Sequence, residues 1–135
     1  MAIKTALWPF QNAVFQRLSE DPLISGMTTG VYDAVEEDLV HPYITIGEPT
    51  EDPFETKNTY SEELALVIHV WSIYSGKKEA YDILNAIVQA IGKGLSIEGP
   101  FTLLNVEKPR LNVIDDVNPQ IKHGIARLKV TIKNN

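Results

Sequence analysis
The chain has 135 residues, 44% apolar and 22% charged, with a net charge of -6 and no cysteine. That composition fits one globular domain, residues 1–135, burying about two-thirds of its unfolded surface, and excludes a disordered chain. The missing cysteines exclude disulfides, thiolate metal sites and cysteine nucleophiles.

The chain holds no apolar run of about eighteen residues that could cross a bilayer. Its start, MAIKTALWPF, lacks a long apolar core followed by a small-residue cleavage site. Together these predict a cytosolic, soluble product with no membrane partner. Charge is unevenly placed: Asp33, Glu36, Glu37, Asp38, Glu48, Glu51, Asp52, Glu55, Glu62 and Glu63 face only Lys57 in the same stretch, a local balance of -9 against +3 elsewhere. Such a chain is poorly suited to tight duplex binding, which depends on cations displacing phosphate counterions.

In chain order, Leu7, Phe10, Val14 and Leu18 fall at helical spacing, predicting an amphipathic helix over residues 3–20 that Asp21-Pro22 ends. Pro9 either kinks this helix or marks its true first turn. Short strands are expected at residues 30–33 (GVYD) and 43–47 (YITIG). Residues 48–63, EPTEDPFETKNTYSEE, combine two prolines and six acids with almost no apolar periodicity, the composition of an exposed, mobile acidic loop. Structureless loops of that length tend to be functional or disordered.

From Leu64 the hydrophobic period switches from two residues to 3.6. Leu64, Leu66, Ile68 and Val70 point to one face of a strand; Ala65, Val67, Trp71 and Ile73 point to the other, so both faces have cover and the strand reads as central. After Ser75-Gly76, the residues Ala80, Ile83, Leu84, Ile87, Val88 and Ile91 form one stripe on a helix that Gly92 or Gly94 can close. Later strands are expected at residues 101–106 and 124–132. Between them, PRLNVIDDVNPQIKHG reads as a long hairpin arm or a surface loop. The fold class that follows is α+β, a mostly antiparallel sheet of about four strands with two helices on one face. The other face would be partly bare unless loops or the first helix cover it, and a bare apolar face marks a partner.

The chemistry-bearing residues do not assemble into a known signature. His41, His69 and His123 are the only imidazoles, and no two stand at helical metal-site spacing. Asp115-Asp116 and Glu36-Glu37-Asp38 lack the calcium-loop pattern, no serine sits in a nucleophile elbow, and the glycines match no nucleotide fingerprint. No catalytic, cofactor-binding or metal residue is therefore assigned.

Taken in order, GVYDAV, HPYITIGE, a polar loop and LALVIHVWSIYSGKKEAYDILNAIVQAIG, after a helix ending in RLSEDP, resemble the small tail-completion, or tail-to-head joining, proteins of long-tailed bacteriophages and prophages. The resemblance covers residues 5–95 and is most specific in VWSIYSGKKEAYDI. It implies a non-enzymatic virion component that caps the tail tube and forms the surface docking on the connector of a DNA-filled capsid. Implied partners are the tail tube protein, a head connector or stopper protein, and further copies of itself in a six-fold ring, free as a monomer or weak oligomer. DNA would pass through without specific binding, and no cofactor is implied. The implied location is the head–tail interface of the virion, with assembly in the host cytoplasm.

The residues expected to make contacts are Glu51, Asp52, Glu55 and Lys57 in the acidic segment, with Trp71 and Tyr74 at the end of the central strand. The rival readings are another phage neck or head-completion factor, a small enzyme using Asp115, Asp116 and His123, and an adaptor binding a peptide by strand addition. The enzyme needs those three side chains to converge beside a pocket.

Overall fold
The computed structural model describes residues 4–34, 38–55 and 59–135. Along them run α1 (Leu7–Ser19), α2 (Pro22–Met27), β1 (Val31–Tyr32), β2 (Tyr43–Glu55), β3 (Tyr60–Ser72), α3 (Lys78–Gly92), β4 (Phe101–Val106), β5 (Arg110–Asp115) and β6 (Lys122–Asn134). The class is α+β as the sequence predicts, with six strands and three helices in place of about four and two. None of these helices is long and apolar enough to cross a membrane.

The three long antiparallel strands β2, β3 and β6 form the body of the sheet, with β3 central between the other two. A short parallel β1 covers Ile44 and Thr45 at one edge. The opposite edge is shared: β4 pairs with the C-terminal half of β6 and β5 with its N-terminal half. Strand β5 comes from the connection that the sequence left open as arm or loop. Its Leu111 and Val113 pair with Ala126 and Gly124, and Val113 packs against the core.

The acidic segment departs most from expectation. Thr50 to Glu55 and Tyr60 to Glu63 are distal rungs of the β2–β3 hairpin, not a structureless loop. β3 is held there by β6 on its other side, so β2 needs only one partner. An edge strand also tolerates Pro49 and Pro53, because half its residues donate nothing to the ladder. A bulge places Glu48 and Pro49 opposite the single residue Leu66.

All three helices lie on one face. Leu64, Leu66, Ile68 and Val70 of β3 and Ala126, Leu128, Val130 and Ile132 of β6 are buried against Phe10, Val14 and Leu18 of α1 and Ile83, Leu84, Ile87 and Ile91 of α3. The α3 stripe is shifted slightly from the sequence reading: Ala86 and Ala90 are buried and Val88 only partly. Gly124 makes room for it, since a Cβ there would stand 3.1 Å from Val70 Cβ and 3.4 Å from Leu84 Cδ1.

Pro9 falls in the first turn of α1, where its missing N–H has no helical acceptor to lose. Asp21-Pro22 both ends one helix and starts another. The Asp21 carboxylate accepts from the N–H of Leu23 and Ile24 at 3.0 and 3.1 Å, and Pro22 sits at the first position of α2. Lys93, capping α3, donates to the same carboxylate at 2.9 Å, which ties three helix ends together and holds Asp21 below the usual carboxylate range.

Candidate functional site
The helix-free face of the sheet carries Tyr43 and Thr45 from β2, His69 and Trp71 from β3, and His123 and Arg127 from β6, side by side by register. The alternation that buries Ile68 and Val70 sends His69 and Trp71 to this side. Trp71 and His123 stack with ring centres 4.0 Å apart and planes 10° apart. Tyr43 extends the stack at 6.4 Å from Trp71, and Trp71 Nε1 donates to Thr45 Oγ1 at 3.0 Å. Nδ1 of His69 lies 2.6 Å from Nε2 of His123. Gly47 is required beneath them, because a Cβ there would come within 2.9 Å of His69 Nε2.

Burial is the main cause that lowers both imidazoles below their ordinary value. For His69, Glu48 opposes that shift and Arg127 adds to it; for His123, the neighbouring His69 adds and Asp116 opposes. The pair does not form a zinc site. Two imidazoles on one tetrahedral zinc at about 2.0–2.1 Å would have nitrogens more than about 3 Å apart, and no cluster of three metal-ligating side chains exists among the described residues.

The acidic residues expected to make contacts separate by face. Asp52 lies opposite Glu63 on the helix-free side, while Glu51 lies opposite Leu64 on the helix side. There Glu51 bonds to Glu62, an interaction that, with burial and the charges of Glu62 and Asp52, raises Glu51 above the usual carboxylate range. Glu62 is buried and accepts from Thr5 Oγ1 at 2.7 Å and from the Ala6 N–H at 2.9 Å, so it fastens the start of α1 to the sheet. Glu55 is exposed near the hairpin end. Lys57 lies outside the described residues.

Trp71 is half-buried in its stack, whereas Tyr74 is 50% exposed and Ile73 59% exposed just past the end of β3. Tyr74 lines an open groove of about 300 Å³ with Met27, Lys78, Glu79, Asp82 and Ile83. The three residues of the enzyme reading do not line one groove, although Asp116 acts electrostatically on His123. Asp115 bonds to Lys122 at 2.8 Å in the β5–β6 hairpin, and that ammonium holds its carboxyl below the usual range. His123 points into the aromatic stack. The groove beside His69, Trp71 and His123, about 600 Å³, is lined by Asp33 and Glu48 and by neither Asp115 nor Asp116.

Sequence reasoning missed a basic cleft of about 320 Å³ where β4 gives way to β5, framed by Lys108, Arg110, Arg127 and Lys129 with Glu107. Arg127 and Lys129 alternate with the buried Ala126, Leu128 and Val130 along β6, but Lys108 and Arg110 join them only through the pairing of β5 with β6.

The family model described as tail completion protein gp17 matches residues 12–133. The tail completion protein gp17 of Bacillus phage SPP1 is 32% identical over 136 residues, covering all of both chains. The solved structure of bacteriophage SPP1 gp17 superposes with a TM-score of 0.67 at 30% identity, over 98% of this chain and 94% of that one. A chain in the virion of a native gene transfer agent particle shares the fold with a TM-score of 0.80 at 20% identity, over 91% of this chain and 93% of that one.

Proposed function
Because the chain belongs to the family of tail completion protein gp17, a structural phage virion component and not an enzyme, we propose that it caps the tail tube and forms the surface on which the DNA-filled head docks. The observation that carries this reading is the family match across nearly the whole chain. The geometry supports it, since the groove that holds His123 is lined by neither Asp115 nor Asp116, and Asp115 pairs with Lys122.

In this reading the partners are the tail tube protein on one side, a head connector or stopper protein on the other, and further copies of the chain in a six-fold ring around the DNA path. Six copies at -6 make a strongly negative collar, which discourages passing DNA from adhering. The protein then sits at the head–tail interface of the virion after assembling in the host cytoplasm.

The test is restoration in the tube. Lysates lacking this protein should accumulate full heads and separate tails, and purified protein added to those tails should restore head attachment and infectivity. Accumulation of empty heads instead, with rescue only when protein is added to heads, would overturn tail capping in favour of a head-completion role.

A further inference from the structure
The two edges of the sheet carry opposite charge. One edge is β2 beyond its short pairing with β1, where Glu48, Asp52 and Glu55 are exposed and none has an ion-pair partner among the described residues. The other is the β4–β5 edge, where Lys108, Arg110 and Arg127 are exposed around the cleft. Among the described residues, Lys108 and Arg110 lack a carboxylate partner, and Arg127 bonds only to Asn112 at 3.1 Å. Lys129 alone has a carboxylate within reach, Glu63 at 3.4 Å, with both side chains substantially exposed.

An open sheet edge invites strand addition, and proline is one device that prevents it. Pro49 and Pro53 stand on the acidic edge and Pro109 at the break in the basic one. Neither edge is therefore suited to extending the ladder into a neighbouring sheet, and contact through side-chain charge remains.

We propose that the acidic β2 edge of one copy seats against the basic β4–β5 cleft of the next, a head-to-tail contact in which Asp52 and Glu48, both on the helix-free side, face Arg110 and Arg127. The inference rests on the ring reading above and specifies how neighbouring copies meet. A contact between two different patches leaves one of each free on a pair of copies. It propagates around a ring and closes only when the last acidic edge meets the first basic cleft.

Charge reversal tests it on tails lacking the protein. Arg110→Glu with Arg127→Glu, and separately Asp52→Lys with Glu48→Lys, should each cut restored joining at least tenfold while unfolding near the wild-type temperature. Both pairs combined in one chain should recover joining to within a few fold. An equimolar mixture of the two double variants should recover it also, since they can alternate.

Cross-linking gives a second readout in this cysteine-free chain. Asp52→Cys and Arg110→Cys chains, mixed on tails and oxidised, should form disulfide-linked pairs that neither forms alone. Single reversals that leave joining within twofold, a combined variant no better than its parents, or cross-linking of Asp52→Cys chains to themselves would each overturn the proposed contact. Failure of the wild-type protein to restore joining would instead overturn the function on which it rests.

Discussion

Nδ1 of His69 and Nε2 of His123 stand 2.6 Å apart across the β3–β6 ladder, with Trp71 stacked on the second ring. At that separation the two nitrogens share one hydrogen. A second proton on each ring would place two cations in contact, partly out of water.

Stability should therefore fall as the solution is acidified. In the unfolded chain both imidazoles titrate near about 6.5, while in the folded chain both lie lower. The unfolded state thus takes up protons first. The contribution is fully present above about 6.5 and is lost as pH falls from there through the folded values. Urea unfolding between about pH 8 and 5 measures it, and His69→Gln should flatten the slope relative to wild type. Equal slopes would show that the pair is not the source.

How much of this was legible in the sequence depended on whether the signal was local. The strand Leu64 to Val70 and the α3 stripe at Ile83, Leu84 and Ile87 were readable because side-chain period alone fixes which face is buried. The distal hairpin was not. Its rungs at Asp52 and Glu63 owe their strand to β6 lying on the far side of β3, a contact 60 or more residues away in sequence, and composition there pointed the other way. The Asp21 cap of α2 was readable in principle, since an Asp before a Pro followed by apolar residues starts a helix as well as ending one. The His69–His123 pair and the basic cleft follow only from the β3–β6 and β5–β6 registers.

Two neighbouring carboxyls on the hairpin should respond oppositely to the same change. Glu62→Gln takes one acceptor from the Thr5 hydroxyl and the buried Ala6 N–H and should destabilise by about 1–3 kcal/mol. Glu51, raised by its bond to Glu62, contributes stability that is fully present below its unfolded value and is lost as pH rises through its folded value. Glu51→Gln keeps a donor to Glu62 at every pH and should raise the melting temperature at neutral pH. A drop for both variants in thermal unfolding would refute the shared-proton arrangement.

The seat of α3 on the sheet should be intolerant in both directions. Leu84→Ala or Ile87→Ala, both buried, should cost about 2–5 kcal/mol. Gly124→Ala, pressed against Val70 and Leu84, should cost about 1–3 kcal/mol by overpacking. Chemical denaturation reads all three, and a change below about half a kcal/mol at Leu84 would show that the contact is not part of the core.

Backbone amides of Thr50, Glu51, Asp52, Phe54 and Glu55 have β3 as their only sheet neighbour, whereas Ile44 and Thr45 lie between β1 and β3. In the free subunit the distal β2 amides should exchange hydrogen at least tenfold faster, opening locally at low cost. In the assembled particle they should become protected, because the acidic edge is then covered. Mass-spectrometric exchange on free protein and on virions compares the two directly. Unchanged rates on assembly would remove this segment from the contact surface.

The last expectation separates docking residues from structural ones at the end of β3. Trp71 stacks on His123 and donates to Thr45, so Trp71→Ala should lower stability and joining together and is uninformative about contact. Ile73 and Tyr74 are exposed, and Tyr74 borders the groove with Met27 and Lys78. Ile73→Ser with Tyr74→Ser should leave unfolding within about half a kcal/mol of wild type yet reduce restored joining severalfold, as removal of an apolar anchor from an interface does. Asp115→Asn with Asp116→Asn should leave joining unchanged within about twofold, since Asp115 pairs with Lys122 in an exposed hairpin and surface pairs contribute little. Full activity of the first variant together with loss in the second would move the docking surface from the β3 end to the β5–β6 hairpin.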